Sequence, residues 1–237
     1  MEKLLYPLWK QASESSDDFR DALLRDLAPA LLELSGLRSL RLCVADSAVE
    51  AAAGRRLVSS GSAADAVLSL WVDNAGEAAH WESLIDESAS RRNGYQVVES
   101  EPLVNQVVHP SAPGERVFGM CHVVFFRKPA EMSRTEWLSA WQGRHTGVAI
   151  ATQSTFGYRQ IVVVRPLVEV SPWVDAIVEE NFPPEAMTSD HAFYDTGGDE
   201  ALLQERMKAM MESCVHFIDF ESIDVIPMSE YLLKPLS

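Results

Sequence analysis

Apolar and polar positions along the chain form two series with the same order. Near the N-terminus an apolar stretch, residues 4–10, leads through the polar sequence ASESSDD into a helix with one apolar face. Residues 122–128 (HVVFFRK) lead through PAEMSR into a second such helix. Ser15 and Ser133 stand at matching positions, and each is well placed to cap its helix. Glu136 follows Ser133 at the spacing of a capping box.

Strands follow each of these helices in a matching order. A glycine opens the first of them in both series, GLRSLRLCV at Gly36 and GYRQIVVVR at Gly157, and the next begins at Asp65 or Asp175. A second helix and a last strand are predicted at residues 75–87 and 95–100, and again at residues 199–214 and 220–228. The intervening segment 47–64, rich in Ala, Ser and Gly, is predicted to be a loop.

The repeated order strand, helix, strand, strand, helix, strand predicts an α+β fold of two tandem ferredoxin-like (βαββαβ) repeats, residues 1–112 and 113–237. A ferredoxin-like unit leaves one sheet face bare, so a second copy is expected to cover it. We therefore expect two antiparallel sheets packed as a dimeric α/β barrel within one chain.

The strand after Asp175 predicts which residues face which layer. Alternation places Ala176, Val178 and Phe182 on the helix side. Its other face carries Ile177 but also the polar Asp175, Glu179 and Asn181, which suits a cavity between the sheets.

Composition and charge narrow the possible partners. Hydrophobic residues make up 47% of the chain and charged residues 23%, with a net charge of −15. A nucleic acid or an anionic membrane would need a concentrated basic patch, so neither is predicted as a partner. Cys43, Cys121 and Cys214 are widely spaced and indicate reduced thiols. With no signal-peptide pattern and no apolar run of roughly 18 residues, a cytoplasmic protein is predicted. It is expected to be a monomer, because one chain supplies both sheets, or a homodimer that pairs through exposed sheet edges.

His145 is the first candidate for catalysis. It shares a helix stripe with Trp137 and Trp141, at spacings of four residues, so an imidazole would stand beside two indoles. Such a histidine exchanges protons near neutral pH. The alternative is a histidine that merely ends its helix favourably. Leu27 occupies the matching position of the first repeat, which therefore lacks this chemistry.

Further candidates lie on the strands of the second repeat. Asp175, Glu179 and Asn181 would bind a substrate hydroxyl or act as a base, or else be ordinary solvated residues. His122 and Tyr158 are predicted to contribute to the same pocket, although His122 also fits a buried core position. The segment 188–200, with His191 and Tyr194, is either a lid or a long connection.

The sequence contains no glycine-rich phosphate loop, no nucleophile elbow and no zinc-binding HExxH motif. The histidines and cysteines have no metal-like spacing. Neither a cofactor nor a metal is therefore predicted.

The stretch RKPAEMSRTEWLSAWQGRHTG resembles the EthD family of dimeric α/β-barrel proteins. The matching positions are Arg127, Lys128, Pro129, Ser133, Glu136, Trp137, Trp141 and His145. Asp175 to Glu179 is similar to the family's Asp-Gly-x-x-Glu strand, with alanine in place of glycine, and Phe217-Ile-Asp219 is similar to its late Phe-x-Asp motif. The resemblance implies a dimeric α/β barrel, a fold that hosts cofactor-free monooxygenases, lyases, isomerases and haem enzymes.

These observations predict a cofactor-independent enzyme that acts on a small aromatic or apolar acidic metabolite, with His145 as general acid or base. A lyase, such as a decarboxylase or dehydratase, is favoured because proton transfer at an activated carbon needs only a base and an apolar pocket. The alternatives are a cofactor-free monooxygenase and a non-catalytic protein that binds a hydrophobic ligand.

Overall fold

A computed structural model describes residues 1–168 and 173–236. The strands are β1 (Glu2–Trp9), β2 (Leu37–Val44), β3 (Leu57–Val58), β4 (Ala66–Val72), β5 (Arg91–Arg92), β6 (Tyr95–Leu103), β7 (Met120–Arg127), β8 (Gly157–Pro166), β9 (Ala176–Phe182) and β10 (Asp219–Lys234). The helices are α1 (residues 16–32), α2 (Ala79–Ser88), α3 (Asn105–Val108), α4 (residues 134–152), α5 (Asp190–Phe193) and α6 (Glu200–Cys214). Short 3₁₀ segments cover Ser47–Arg55, Ala75–Glu77 and Pro184–Met187.

Eight of the described strands close into an antiparallel barrel. Four from the N-terminal half lie in the order β2-β4-β1-β6, and four from the C-terminal half in the order β8-β9-β7-β10. Strand β6 pairs with β8 at one junction, and β10 pairs with β2 at the other. The predicted α+β class and barrel are confirmed, and both halves share one strand order.

Local signals start the two long helices. The Ser15 hydroxyl accepts a hydrogen bond from the backbone N–H of Asp18 and caps α1. Ser133 and Glu136 form a complete capping box at the start of α4, so each satisfies a backbone donor that the helix leaves free. These predicted caps are confirmed.

A second local signal, an aspartate that binds a backbone N–H, occurs in both halves just after the first strand. The carboxylate of Asp65 accepts a hydrogen bond from the backbone N–H of Lys10 at 3.0 Å. Asp175 makes the same bond to Lys128, also at 3.0 Å. Both aspartates therefore satisfy a backbone donor after the strand ends, which is a structural role.

Apolar residues pack on both faces of the sheet, against the helices on the outside and within the barrel on the inside. Ala176 and Val178 of β9 pack outward against the helices of the C-terminal half. Ile177, between them in sequence, packs inside the barrel. The alternation predicted for this strand is confirmed.

One prediction about local structure and the alternative interpretation of His145 need correction. The segment 47–64 is not a plain loop: it contains the 3₁₀ segment Ser47–Arg55 and strand β3, which pairs with β10. Val49 and Ala52 are buried, and this burial holds the segment in place. Helix α4 does not end at His145 but continues to Thr152, because a π-helical turn over Ser139–His145 carries the chain onward.

Among the described residues, no helix has both the length and the apolar character that a membrane crossing requires.

Candidate functional site

The candidate site is a cavity on the outer face of the C-terminal sheet, beneath helices α4 and α6. Its volume is about 310 Å³, and residues from the sheet, both helices and the segment 54–55 line it. Most of its wall is apolar and includes Val124, Phe126, Trp141, Val178, Phe193 and Phe217. A mainly apolar cavity with a few polar groups is typical of a small-molecule site.

His145 enters this cavity from the π-helical turn of α4, where backbone geometry is often adapted to function. His145 is 6% exposed, and its Nδ1 lies 2.9 Å from the hydroxyl oxygen of Ser213. Burial lowers the pKa of His145 to about 4, so the imidazole is neutral at pH 7. Its Nε2 has no hydrogen-bond partner among residues 1–168 and 173–236.

The two predicted tryptophans play different parts. Trp137 is buried beneath α4, where its indole N–H donates to the carbonyl oxygen of Phe217 at 3.0 Å. Trp141 lines the cavity and stacks on the Phe217 ring, with 6.2 Å between centroids. The His145 ring also contacts Phe217, at 4.6 Å. Phe217 is thus the common support of the predicted stripe.

Three polar side chains form a row across the sheet beneath His145. His122 of β7 pairs in register with Glu180 of β9, and Glu180 pairs with Tyr158 of β8. Side chains at directly opposed positions lie about 5 Å apart at Cβ. All three line the cavity, so proton donors and acceptors are concentrated on its floor.

The protonation states of this row differ from those of free side chains. Burial raises the pKa of Glu180 to about 7, so its carboxyl gains or loses a proton near neutrality. Burial, reinforced by the positive charge of Arg55, lowers the pKa of His122 to about 3. Burial also raises the pKa of the Tyr158 hydroxyl, which accepts a hydrogen bond from the Gln160 amide at 3.1 Å. Only Glu180 is therefore matched to proton exchange at pH 7.

Glu179 and Asn181 lie on the opposite face of β9 from this row, inside the barrel. The Glu179 carboxylate accepts hydrogen bonds from Arg41 at 2.6 Å and Arg159 at 3.3 Å. Burial opposes ionisation here, yet the charges of Arg41, Lys3 and Arg159 lower the pKa of Glu179 to about 2.

The Asn181 amide donates to Glu230 at 2.7 Å, within the same buried network. Asp175 is engaged with the backbone N–H of Lys128 and the indole N–H of Trp173. The structure thus separates Asp175, Glu179 and Asn181 from His145, and their predicted binding role remains a prediction.

Sequence reasoning missed Glu180, although a signal for it was present. The alternation on β9 places Glu180 on the same face as Val178 and Phe182, where a single acid interrupts an apolar row. It also missed Arg55, which reaches the cavity from the N-terminal half. No pattern in the local sequence predicts such a long-range contact.

The segment 188–200 covers one side of the cavity. Phe193 and Tyr194 line the cavity at the end of helix α5, and His191 is turned toward the Thr196 hydroxyl at 2.7 Å. Of the predicted residues in this segment, Tyr194 therefore faces the site and His191 serves the segment itself.

The matching region of the N-terminal half is a packed core. Leu27 lies there among the buried Leu23, Leu31, Trp81 and Ile85. The prediction that proton chemistry belongs to the second half is consistent with this difference.

Two solved structures are similar to this chain over nearly their whole length. An anthrone oxidase-like protein aligns with a TM-score of 0.57, covering 100% of this chain and 94% of its own, at 6% identity. A candidate monooxygenase from Lactobacillus acidophilus NCFM aligns with a TM-score of 0.50, covering 98% and 96%, at 10% identity. No protein-family model and no curated protein matches the sequence. At these identities the likeness concerns the fold alone, an α+β arrangement in which eight antiparallel strands of a single polypeptide close into a barrel.

Proposed function

We propose that the protein is a cofactor-independent enzyme that removes a proton from, or returns one to, a small aromatic or apolar acid. The observation that carries this proposal is Glu180, a carboxyl with a pKa of about 7 on the floor of an apolar cavity. Groups tuned in this way are concentrated at active sites, because proton transfer is fastest when the pKa lies near the working pH.

The side chains divide the work in this proposal. Glu180 acts as the general base, a role that sequence reasoning gave to His145. His145 is neutral and offers Nε2 to the substrate oxygen on which negative charge develops, as preorganised hydrogen-bond donors do in other enzymes. Trp141 and Phe217 exclude water, which strengthens both interactions.

Two reactions begin with this proton removal. A carbanion that expels a neighbouring hydroxyl as water gives a dehydration, which is a lyase reaction, and one that meets dioxygen gives a monooxygenase reaction, in which one oxygen atom enters the product and the other leaves as water. Decarboxylation, the other lyase reaction, uses the proton step in reverse: carbon dioxide leaves first, and the protonated carboxyl of Glu180 then returns a proton to the carbanion. The second is favoured by the descriptions of the two solved structures with this fold, an anthrone oxidase-like protein and a candidate monooxygenase. Oxygen consumption during turnover separates the two.

The test is turnover of a panel of small aromatic acids by the purified protein, followed by chromatography and with an oxygen electrode. We expect Glu180→Gln to lower kcat by about 100-fold or more, since it removes the base. We expect the wild-type rate to rise with pH and to level off above about 7, the pKa of Glu180. His145→Ala should lower kcat while leaving that pH midpoint in place.

Glu185→Gln is the matched control, because Glu185 is exposed and lies outside the cavity. Wild-type turnover in the Glu180→Gln variant would contradict the proposed base. Tight binding without turnover by the wild type would instead identify a ligand-binding protein.

We also propose that residues 1–112 and 113–237 are tandem repeats and that only the second carries the site. The common strand order and the equivalent bonds of Asp65 and Asp175 support this. Membership of the EthD family rests on the motifs around His145 and belongs to the same proposal. A cytoplasmic location and a monomeric or homodimeric state remain predictions.

A further inference from the structure

The N-terminal half contributes a charged residue to the cavity of the C-terminal half. The 3₁₀ segment Ser47–Arg55 reaches the C-terminal half, where Val49 and Ala52 pack with Phe182 and Met187 in one buried cluster. This packing fixes the end of the segment, so Arg55 reaches the cavity from an anchored position.

The guanidinium of Arg55 is held in a defined orientation. Its Nε donates to the carbonyl oxygen of Ala186 at 2.5 Å, and Nη2 donates to Asp190 at 2.9 Å. The group also stacks over the Phe193 ring, 4.5 Å from its centroid. Arg55 is 16% exposed in its side chain, whereas Asp190 is 57% exposed. The counter-charge therefore lies toward solvent.

Two side chains at the cavity, Arg55 and His122, have nitrogen atoms without a hydrogen-bond partner among the described residues. A guanidinium has five N–H donors, and Nη1 of Arg55 has no acceptor within the part of the chain that the structure describes. His122, 6% exposed, lines the same cavity, and its Nε2 is buried without a partner among those residues. Buried polar groups are nearly always paired, so an unpaired buried imidazole nitrogen beside a guanidinium with free donors, both lining one cavity, indicates a ligand that supplies the acceptor.

We infer that a carboxylate of the bound molecule is anchored by Arg55, with His122 Nε2 donating to the same group. Arg55 is then a specificity-determining residue that the first half supplies to the second. A charge-assisted hydrogen bond from Nη1 of Arg55, together with one from His122 Nε2, orients the carboxylate as well as holding it. The inference rests on the proposed site, but it concerns binding and not turnover.

The test compares two probes of equal shape, 2-naphthoate and 2-naphthamide, by calorimetry at pH 6, below the pKa of Glu180. We expect the wild type to bind the naphthoate at least about 10-fold more tightly than the amide, since hydrogen bonds to charged groups are the stronger ones. Arg55→Gln should remove this preference by weakening naphthoate binding alone. Arg56→Gln is the matched control, because Arg56 is exposed and does not line the cavity.

A second variant tests whether the effect of Arg55→Gln comes from the lost charge or from a general disturbance of the segment Ser47–Arg55. Asp190→Asn keeps Arg55 but removes its counter-charge, so naphthoate should bind about 3-fold more tightly and naphthamide should be unaffected. Naphthoate that fails to bind, binds no better than the amide, or binds Arg55→Gln as well as the wild type overturns the inference. Acid-selective binding that depends on Arg55 without turnover of any aromatic acid would leave it standing and refute the proposed enzyme.

Discussion

Replacing Glu180 by glutamine should change how stability depends on pH in a direction opposite to that of most carboxyl groups. Burial raises the pKa of this carboxyl from 4.5 to about 7 in the folded chain. A group with a raised pKa contributes its stability fully below pH 4.5, and this contribution is lost as the pH rises through 7. Between these values the folded protein keeps the carboxyl protonated although the unfolded chain ionises it, and above pH 7 the folded protein must bury the charge.

The size of the effect follows from the shift. A rise from 4.5 to about 7 corresponds to about 3 kcal/mol of lost stability above pH 8. Glutamine has nearly the same shape but carries no charge. The stability of Glu180→Gln relative to wild type should therefore be about 3 kcal/mol greater at pH 8 than at pH 4. The difference between the two proteins isolates Glu180, because other titrating groups contribute equally to both.

Urea unfolding followed by circular dichroism, at intervals from pH 4 to pH 9, measures this difference. The Glu185→Gln variant, altered at an exposed position, should run parallel to wild type throughout. A constant difference between Glu180→Gln and wild type across this range would show that Glu180 ionises normally. The basis for its role as a base at neutral pH would then be lost.

Three further variants test the barrel interior and the segment before β7. Glu179→Gln should destabilise the protein by about 3 kcal/mol at pH 7, since it leaves Arg41 buried without its closest carboxylate, and urea unfolding should show the effect fading as the pH falls from 4.5 toward 2. Gly114→Ala should cost about 1 kcal/mol for its positive φ alone, because nothing lies within 4 Å of the added Cβ. Gly119→Ala should cost about 3 kcal/mol more in the same assay, since its Cβ would stand 1.9 Å from the carbonyl oxygen of Phe182 and the backbone must move.

The parts of the fold that sequence predicted are those set by neighbours along the chain. The Ser133 capping box and the alternation around Ile177 depend on residues a few positions apart, so their patterns are visible in a single sequence. The order of strands and helices followed for the same reason, because each element carries its own periodicity.

The parts that sequence reasoning missed depend on contacts between distant segments. Arg55 lies beside Phe193 only because the barrel brings the two halves together. The continuation of α4 beyond His145 depends on a π-helical turn, which needs tertiary packing to persist. The pKa of Glu180 is set by burial, which the sequence hints at but does not measure.

A π-helical turn occurs in both halves of the chain and is therefore a feature of the fold and not of the candidate site alone. Helix α1 has one over Leu23–Leu27, at the position that matches the turn of α4 ending in His145. Since Leu27 is buried in a packed core, the turn does not by itself create a site. The two halves differ here in the side chains at the end of the turn, Leu27 in one and His145 in the other.

The sheet shows the same contrast at equivalent pairs. Leu4 of β1 faces Leu70 of β4 in the register in which His122 of β7 faces Glu180 of β9. On the adjoining strand, Leu40 pairs with Leu70 as Tyr158 pairs with Glu180. With Leu27 in place of His145, four leucines of one half correspond to four polar groups of the other. An apolar layer is therefore compatible with this strand register, and the polar groups of the second layer are the ones to which the proposed function assigns a role.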